Sequence, residues 1–257
     1  MRRSLPVLAC LMPIACTPVA TPPAVPPVVV PIATPTPVVP PVVMVPRQVV
    51  QPVALCGRGM VQPGADGRLF NHFAYPDTPA SALVDAPASL GGGSCKVHPA
   101  MLVDLGRLLA AADADPAVRG TLRAVSCHRS EALQRQTFCG GIGRDGSGSF
   151  TERAWASAPP GHSEHATGYV IDFGTSTSRA CDAEACFAAT PAGRWLRANA
   201  ASFGFEMSFP AGNHQQVKWE PWHWRWVGTA AAQAGAPVAR GLFAEARTRF
   251  PAEPGVR

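Results

Sequence analysis

Ser163-Glu-His165-Ala-Thr-Gly168-Tyr-Val-Ile-Asp172-Phe173 is the stretch on which the reading of this chain turns. From Thr167 onward its residues alternate and are rich in β-branched and aromatic types, which predicts a strand over residues 167–173; Gly168 stands where the chain must turn before it. Working outward, residues 121–126 read as a short buried strand and residues 219–227 as an aromatic-rich extended segment. Met101, Leu102, Leu105, Leu108 and Leu109 recur at helical spacing within residues 99–112. A second helix is expected over residues 130–138, behind a Ser130 cap with Glu131 in its first turn. A third, over residues 190–203, carries Trp195, Leu196, Ala200 and Phe203 and ends at Gly204. Residues 140–148 are Gly-rich but lack the Lys-Ser/Thr ending of a phosphate-binding loop, and read as a connection. Helices and strands interleaved over one small domain argue for an α+β fold with a mostly antiparallel sheet.

The remainder of the 257 residues is organised around that domain. Met1-Arg-Arg followed by an apolar stretch has the form of a secretory signal, residues 1–15, too short to span a bilayer. Ile14-Ala15-Cys16 resembles the end of a lipobox, although Pro13 stands where Leu is usual. Cys16 is thus a candidate lipid site and the chain's expected link to a membrane; cleavage near Ala20 with a freely soluble product is the alternative. Residues 16–55 are mostly Pro, Val, Ala and Thr, a composition in which neither helix nor central strand persists. As polyproline II, at about 3.1 Å per residue, this tether would reach on the order of 100 Å. The domain is placed at residues 56–228, followed by a C-terminal extension, 229–257, without an assigned role.

A hydrophobic fraction of 47% with 15% charged residues excludes a fully disordered chain. The net charge of +5, scattered and reduced if Arg2 and Arg3 leave with the signal, argues against a nucleic-acid partner. Setting aside Cys10 and Cys16, six cysteines remain, an even number that in an exported chain suggests three disulfides. Sequence proximity favours Cys181 with Cys186, Cys127 with Cys139, and Cys56 with Cys95. No CxxC pair suggests a zinc ribbon.

His165 and Asp172 lie seven residues apart, and Trp219-Glu220-Pro-Trp222-His223 adds another carboxylate and another imidazole. Two imidazoles and one carboxylate leave a fourth zinc position open, the pattern of a catalytic site, and Glu220 is the candidate general base. Pro221 rules out a helical HExxH arrangement; on a period-two strand, a bulge or twist would be required to converge Glu220 and His223.

Together these segments resemble the VanY-like D-alanyl-D-alanine carboxypeptidases, of the zinc peptidase group that includes lysostaphin-type enzymes and the hedgehog signalling domain. Residues 163–172 are similar to that family's S-x-H-x-x-G-x-A-x-D signature, and WEPWHWRWVG at 219–228 to its E-P-W-H signature. Ser126-Cys-His-Arg129-Ser130 with Gln134 is similar to its S-G-[YF]-R-S-x-x-x-Q segment. The resemblance covers about residues 65–228 and implies a hedgehog/D,D-peptidase-like fold, with His165, Asp172 and His223 as zinc ligands and Glu220 as base. It assigns Arg129 to the substrate's terminal carboxylate or the developing oxyanion. Ser130, Ser163, Gln134 and His128 are expected in the substrate pocket, with capping as an equal alternative for the serines. Cys127 and His128 replace the usual Gly and aromatic, while Tyr169 and Val170 depart from the aliphatic residue and Ala. The implied activity is removal of terminal D-Ala from peptidoglycan stem peptides by metal-activated water, in a monomer at the bacterial cell envelope. An L,D-carboxypeptidase or peptidoglycan endopeptidase is the nearest alternative, and a non-catalytic peptidoglycan-binding module the alternative of another class.

Overall fold

The computed structural model describes residues 51–257 except Asp145; the signal, Cys16 and most of the tether lie outside the described residues. Two short hairpins come first. Val53–Ala54 (β1) pairs with Met60–Val61 (β2), and Val84–Asp85 (β3) with Lys96–Val97 (β4). The central sheet has four strands, Leu122–Ser126 (β5), Val170–Thr175 (β6), Phe205–Met207 (β7) and His223–Trp226 (β8), all antiparallel in the order β5-β6-β8-β7. The α+β architecture expected from the sequence is the one observed.

Leu102–Ala114 (α1) follows a 3-10 turn at Pro99–Met101 and buries Leu105, Leu108 and Leu109, the residues that set its helical spacing. Burying each Leu is worth about 1.5–3 kcal/mol, which anchors the helix to the sheet. Glu131–Gly141 (α2) starts at Ser130, whose hydroxyl accepts from the Leu133 N–H. Pro191–Asn199 (α4) is capped by Thr190 and runs into a 3-10 turn, Ala200–Phe203, that Gly204 closes at φ 80°. Between α2 and α4 lies an unexpected helix, Phe150–Ala156 (α3), opened by a capping box of Ser149 and Glu152. Its S-x-x-E signal directly follows a Gly-rich stretch.

Ala236–Leu242 (α5) and Ala244–Arg249 (α6) place Ala236, Ala239, Phe243 and Ala246 in the same core as the sheet. Arg240 and Arg247 tie them down, through Val227 and Gly228 carbonyls and through Glu206 respectively. Among the described residues no helix is long and apolar enough to cross a membrane.

The disulfides correct two expected pairings. Cys181 joins Cys186 as sequence proximity suggested, but Cys56 joins Cys139 and Cys95 joins Cys127. The reason is tertiary. Lys96 in β4 lies beside the start of α2, where the His128 N–H donates to the Lys96 carbonyl, so Cys95 meets Cys127. Cys139, near the end of α2, instead reaches the first hairpin, where Leu55, Phe138 and Ala154 form a small separate core.

Candidate active site

Strand register builds the site. Ser126, Asp172 and His223 are direct cross-strand partners on β5, β6 and β8, so one row across the sheet carries a hydroxyl, a carboxylate and an imidazole. His165 arrives from the 3-10 turn Glu164–Thr167, which Gly168 closes in the left-handed region at φ 74° before β6 begins. A Cβ at Gly168 would also lie 2.6 Å from Leu83 Cδ2, so that side chain would have to shift, while the positive φ favours glycine in its own right. His165 Nε2 lies 3.0 Å from Asp172 Oδ2, and His223 Nδ1 3.0 Å from Asp172 Oδ1. The three side chains are buried, and one ligand atom from each falls within 4.8 Å of the others.

The far sides of both rings are also occupied. His165 Nδ1 sits 2.7 Å from the Cys127 carbonyl, which only accepts; Nδ1 therefore donates and the Nε2 lone pair faces Asp172. His223 Nε2 is 2.9 Å from Glu164 Oε2. Glu164 in turn accepts from Arg225 Nη1 at 2.8 Å, Ser208 Oγ at 2.6 Å and Tyr75 Oη at 3.3 Å. Arg225 also bonds Glu206, which takes Arg247 from α6 and the Val256 N–H. Two aromatic nitrogens and a carboxylate oxygen converging, with each ring held from behind by an oxygen acceptor, is a donor set that fits zinc.

The electrostatics follow from burial against charge. Without a metal, burial disfavours the charged imidazole of His223, yet the hydrogen bonds and charges of Asp172 and Glu164 carry its pKa up to about 10, so the Nδ1 proton must leave before that nitrogen can hold an ion. Burial likewise works against the Glu164 carboxylate, but Arg225 and His223 bring it down to about 2. Asp172 is held well below the usual carboxylate range by His165 and His223 in spite of its burial. Burial lowers His165, partly offset by Asp172.

Glu220 reaches the cluster through a turn. Its N–H donates to the Phe209 carbonyl at 3.0 Å, and the His223 N–H donates to the Glu220 carbonyl at 3.0 Å, folding Glu220-Pro-Trp ahead of β8. Glu220 Oε2 lies 3.7 Å from His223 Nδ1. The bulge expected in this strand is not what converges the two side chains: β8 begins only at His223, and the register irregularity lies in β5 between Ala124 and Ser126. Burial pushes the Glu220 carboxyl up to about 7, into the range of a base working near neutrality.

Arg129 lines the same cleft, its guanidinium donating to Gln134 Oε1 at 2.9 Å and Ser126 Oγ at 3.2 Å. Gln134 is itself held by the Ala158 carbonyl, so it steadies Arg129, and it and Ser163 both line the cleft. Two expected pocket residues lie elsewhere. His128 pairs with Asp77 at 3.2 Å, outside the cleft lining, and its N–H is held by the Lys96 carbonyl. Ser130 caps α2. Sequence reasoning missed Glu164 and the Cys127 carbonyl. A Glu directly before a candidate ligand was a visible signal for the first, whereas a backbone carbonyl leaves none.

A family model described as VanY: D-alanyl-D-alanine carboxypeptidase matches residues 94–229. The Bacillus subtilis (strain 168) protein YodJ, whose carboxypeptidase name is itself provisional, is 36% identical over 114 residues, 44% of this chain and 40% of that protein. A D-alanyl-D-alanine carboxypeptidase of Enterococcus faecium is 33% identical over 72 residues, 27% of this chain and 22% of that enzyme. The chain thus spans less than half the length of these curated relatives. Among solved structures, that of the LdcB LD-carboxypeptidase, described as revealing the molecular basis of peptidoglycan recognition, matches with a TM-score of 0.54 at 26% identity, over 67% of this chain and 82% of that one. The family match takes in every strand of the central sheet and covers more than half of the chain, which belongs to the VanY family of D-alanyl-D-alanine carboxypeptidases.

Proposed function

We propose that this protein is a zinc-dependent D,D-carboxypeptidase that releases the terminal D-Ala of peptidoglycan stem peptides. The observation that carries the reading is the meeting of His165, Asp172 and His223 within 4.8 Å on a cleft that Glu220 and Arg129 also line. His165 Nε2, an Asp172 oxygen and His223 Nδ1 would hold the ion. When bound, zinc supplies a Lewis acid that polarises the scissile carbonyl and acidifies water.

The chain's own groups do the rest. Arg129, steadied by Gln134 and Ser126, receives the peptide's terminal carboxylate and orients the last amide bond. Glu220 takes a proton from the attacking water and returns it to the departing amine, so the amide C–N bond is exchanged for a carboxylate and a free D-Ala. The three disulfides support an oxidising location outside the cytoplasm, and with the signal-like N-terminus and Cys16 they make a lipid-anchored envelope protein our reading.

The likeness to the LdcB LD-carboxypeptidase favours a second reading, an L,D-carboxypeptidase acting on tetrapeptide stems. Mass spectrometry of tripeptide-D-Ala and tripeptide-D-Ala-D-Ala stems, monomeric and cross-linked, incubated with the zinc-loaded protein and with Glu220→Ala, separates the two. Loss of one D-Ala from the pentapeptide alone supports the first, and cleavage of tetrapeptides alone the second. Zinc binding with no cleavage of any stem would make the domain a peptidoglycan-binding module.

A further inference from the structure

Glu164 is a fully enclosed carboxylate that the proposed reaction does not use. It sits one residue before His165, in the 3-10 turn, and its side chain reaches the other histidine: Oε2 meets His223 Nε2 at 2.9 Å. Its remaining contacts hold it from separate directions, Ser208 on Oε2, and Arg225 and Tyr75 on Oε1. Arg225 is two residues after His223 on β8, so the period of the strand presents both side chains on one face and both to the same carboxylate. We infer that Glu164 is a positioning residue that fixes His223 in the tautomer with hydrogen on Nε2, leaving the Nδ1 lone pair directed at Asp172 and the metal position.

The inference rests on the zinc reading above and adds a role to it. A carboxylate paired with a guanidinium offers lone pairs only, so it accepts from Nε2–H and rejects the tautomer that would point a bare nitrogen at it. The Cys127 carbonyl does the same for His165 through the opposite ring nitrogen. The two ligands are therefore presented through different atoms, Nε2 and Nδ1, each selected by an acceptor behind the ring. Tyr75 lies 89 residues from Glu164 in sequence and Ser208 44, so the orientation of His223 depends on distant segments closing on one carboxylate.

The test compares the full chain with Glu164→Gln, whose amide can present its N–H to His223, and with Ser208→Ala, which removes one support of Oε2 and leaves Arg225 paired. Zinc affinity is read by competition with a chromophoric chelator, and the His223 tautomer by the ring-nitrogen chemical shifts of the zinc-loaded protein. A ten- to hundredfold weaker zinc affinity in Glu164→Gln, a smaller loss in Ser208→Ala, and an Nε2–H tautomer for His223 in the parent chain are expected. Unchanged affinity in a folded Glu164→Gln overturns the inference while leaving the zinc reading intact. If Glu164→Gln does not fold, unchanged affinity in Ser208→Ala, or a parent His223 carrying hydrogen on Nδ1, overturns it. A parent chain that binds no zinc overturns both.

Discussion

The two faces of β8 are built on opposite principles. Trp224 and Trp226 point one way into the apolar core, where Trp226 stacks on Tyr169 and donates to Asp104 of α1. His223 and Arg225 point the other way, into Asp172, Glu164 and Glu206. Both faces are buried, so exposure does not distinguish them. The apolar face is held by many weak, non-directional contacts and tolerates a change of shape at constant volume. The charged face depends on directed pairs, and removing one partner strands another without water.

The largest contrast should come where the charged face meets the cleft. Glu220→Gln is expected to lower kcat/KM on a cleaved stem peptide by about 10²- to 10⁴-fold with its melting temperature almost unchanged, since only the base is removed; steady-state kinetics beside a thermal melt checks this. Next comes Arg225→Met, which keeps an unbranched apolar stem but is shorter and uncharged. It leaves Glu164 and Glu206 facing each other without the guanidinium between them, and should cost about 3–5 kcal/mol in urea unfolding, far above a core swap of similar size. A cost below about 1.5 kcal/mol would erase the distinction between the faces.

Acid should act on a third kind of buried group. His72 donates from Nε2 to the Ala154 carbonyl at 2.8 Å, and burial lowers its pKa to about 4. The unfolded chain, with an ordinary value near 6.5, binds the proton first. Stability attributable to His72 is therefore complete above about pH 6.5 and is lost as pH falls towards 4, by about 3 kcal/mol in all. His72→Gln keeps a donor for Ala154 without this titration. The stability gap between the two proteins should then shift by that amount in favour of the variant from pH 7 to 4, and a constant gap would refute it. The smallest effect is expected on the apolar face: Leu108→Met in α1 should cost less than about 1.5 kcal/mol by the same unfolding measurement.

These contrasts mark how far the sequence could be read. Helices α1, α2 and α4 were legible because apolar spacing and caps are local: Leu105, Leu108 and Leu109 repeat at the helical period, and Ser130 announces α2. Helix α3 was legible in principle from Ser149 and Glu152, but glycines beside it obscured that signal. Cys127 with Cys139 was wrong because nearness in sequence is a poor guide once a hairpin and a helix start are brought together. The motif marks the position of His128 in the chain and says nothing of the direction in which its side chain leaves the backbone, which the contact with Asp77 shows.

By itself the sequence determined the chemistry available to this protein: which residues could hold a metal, which carboxylate could serve as base, and the α+β order of elements that carries them. Those properties reside in residue type and short-range spacing. Only the tertiary structure decided that Asp172 and His223 are register partners, that a turn and not a bulge brings Glu220 to them, and that Glu164 stands behind His223. Each of these depends on how segments dozens of residues apart pair and pack. Such pairing is settled by the whole core and by the need to satisfy every buried charge at once.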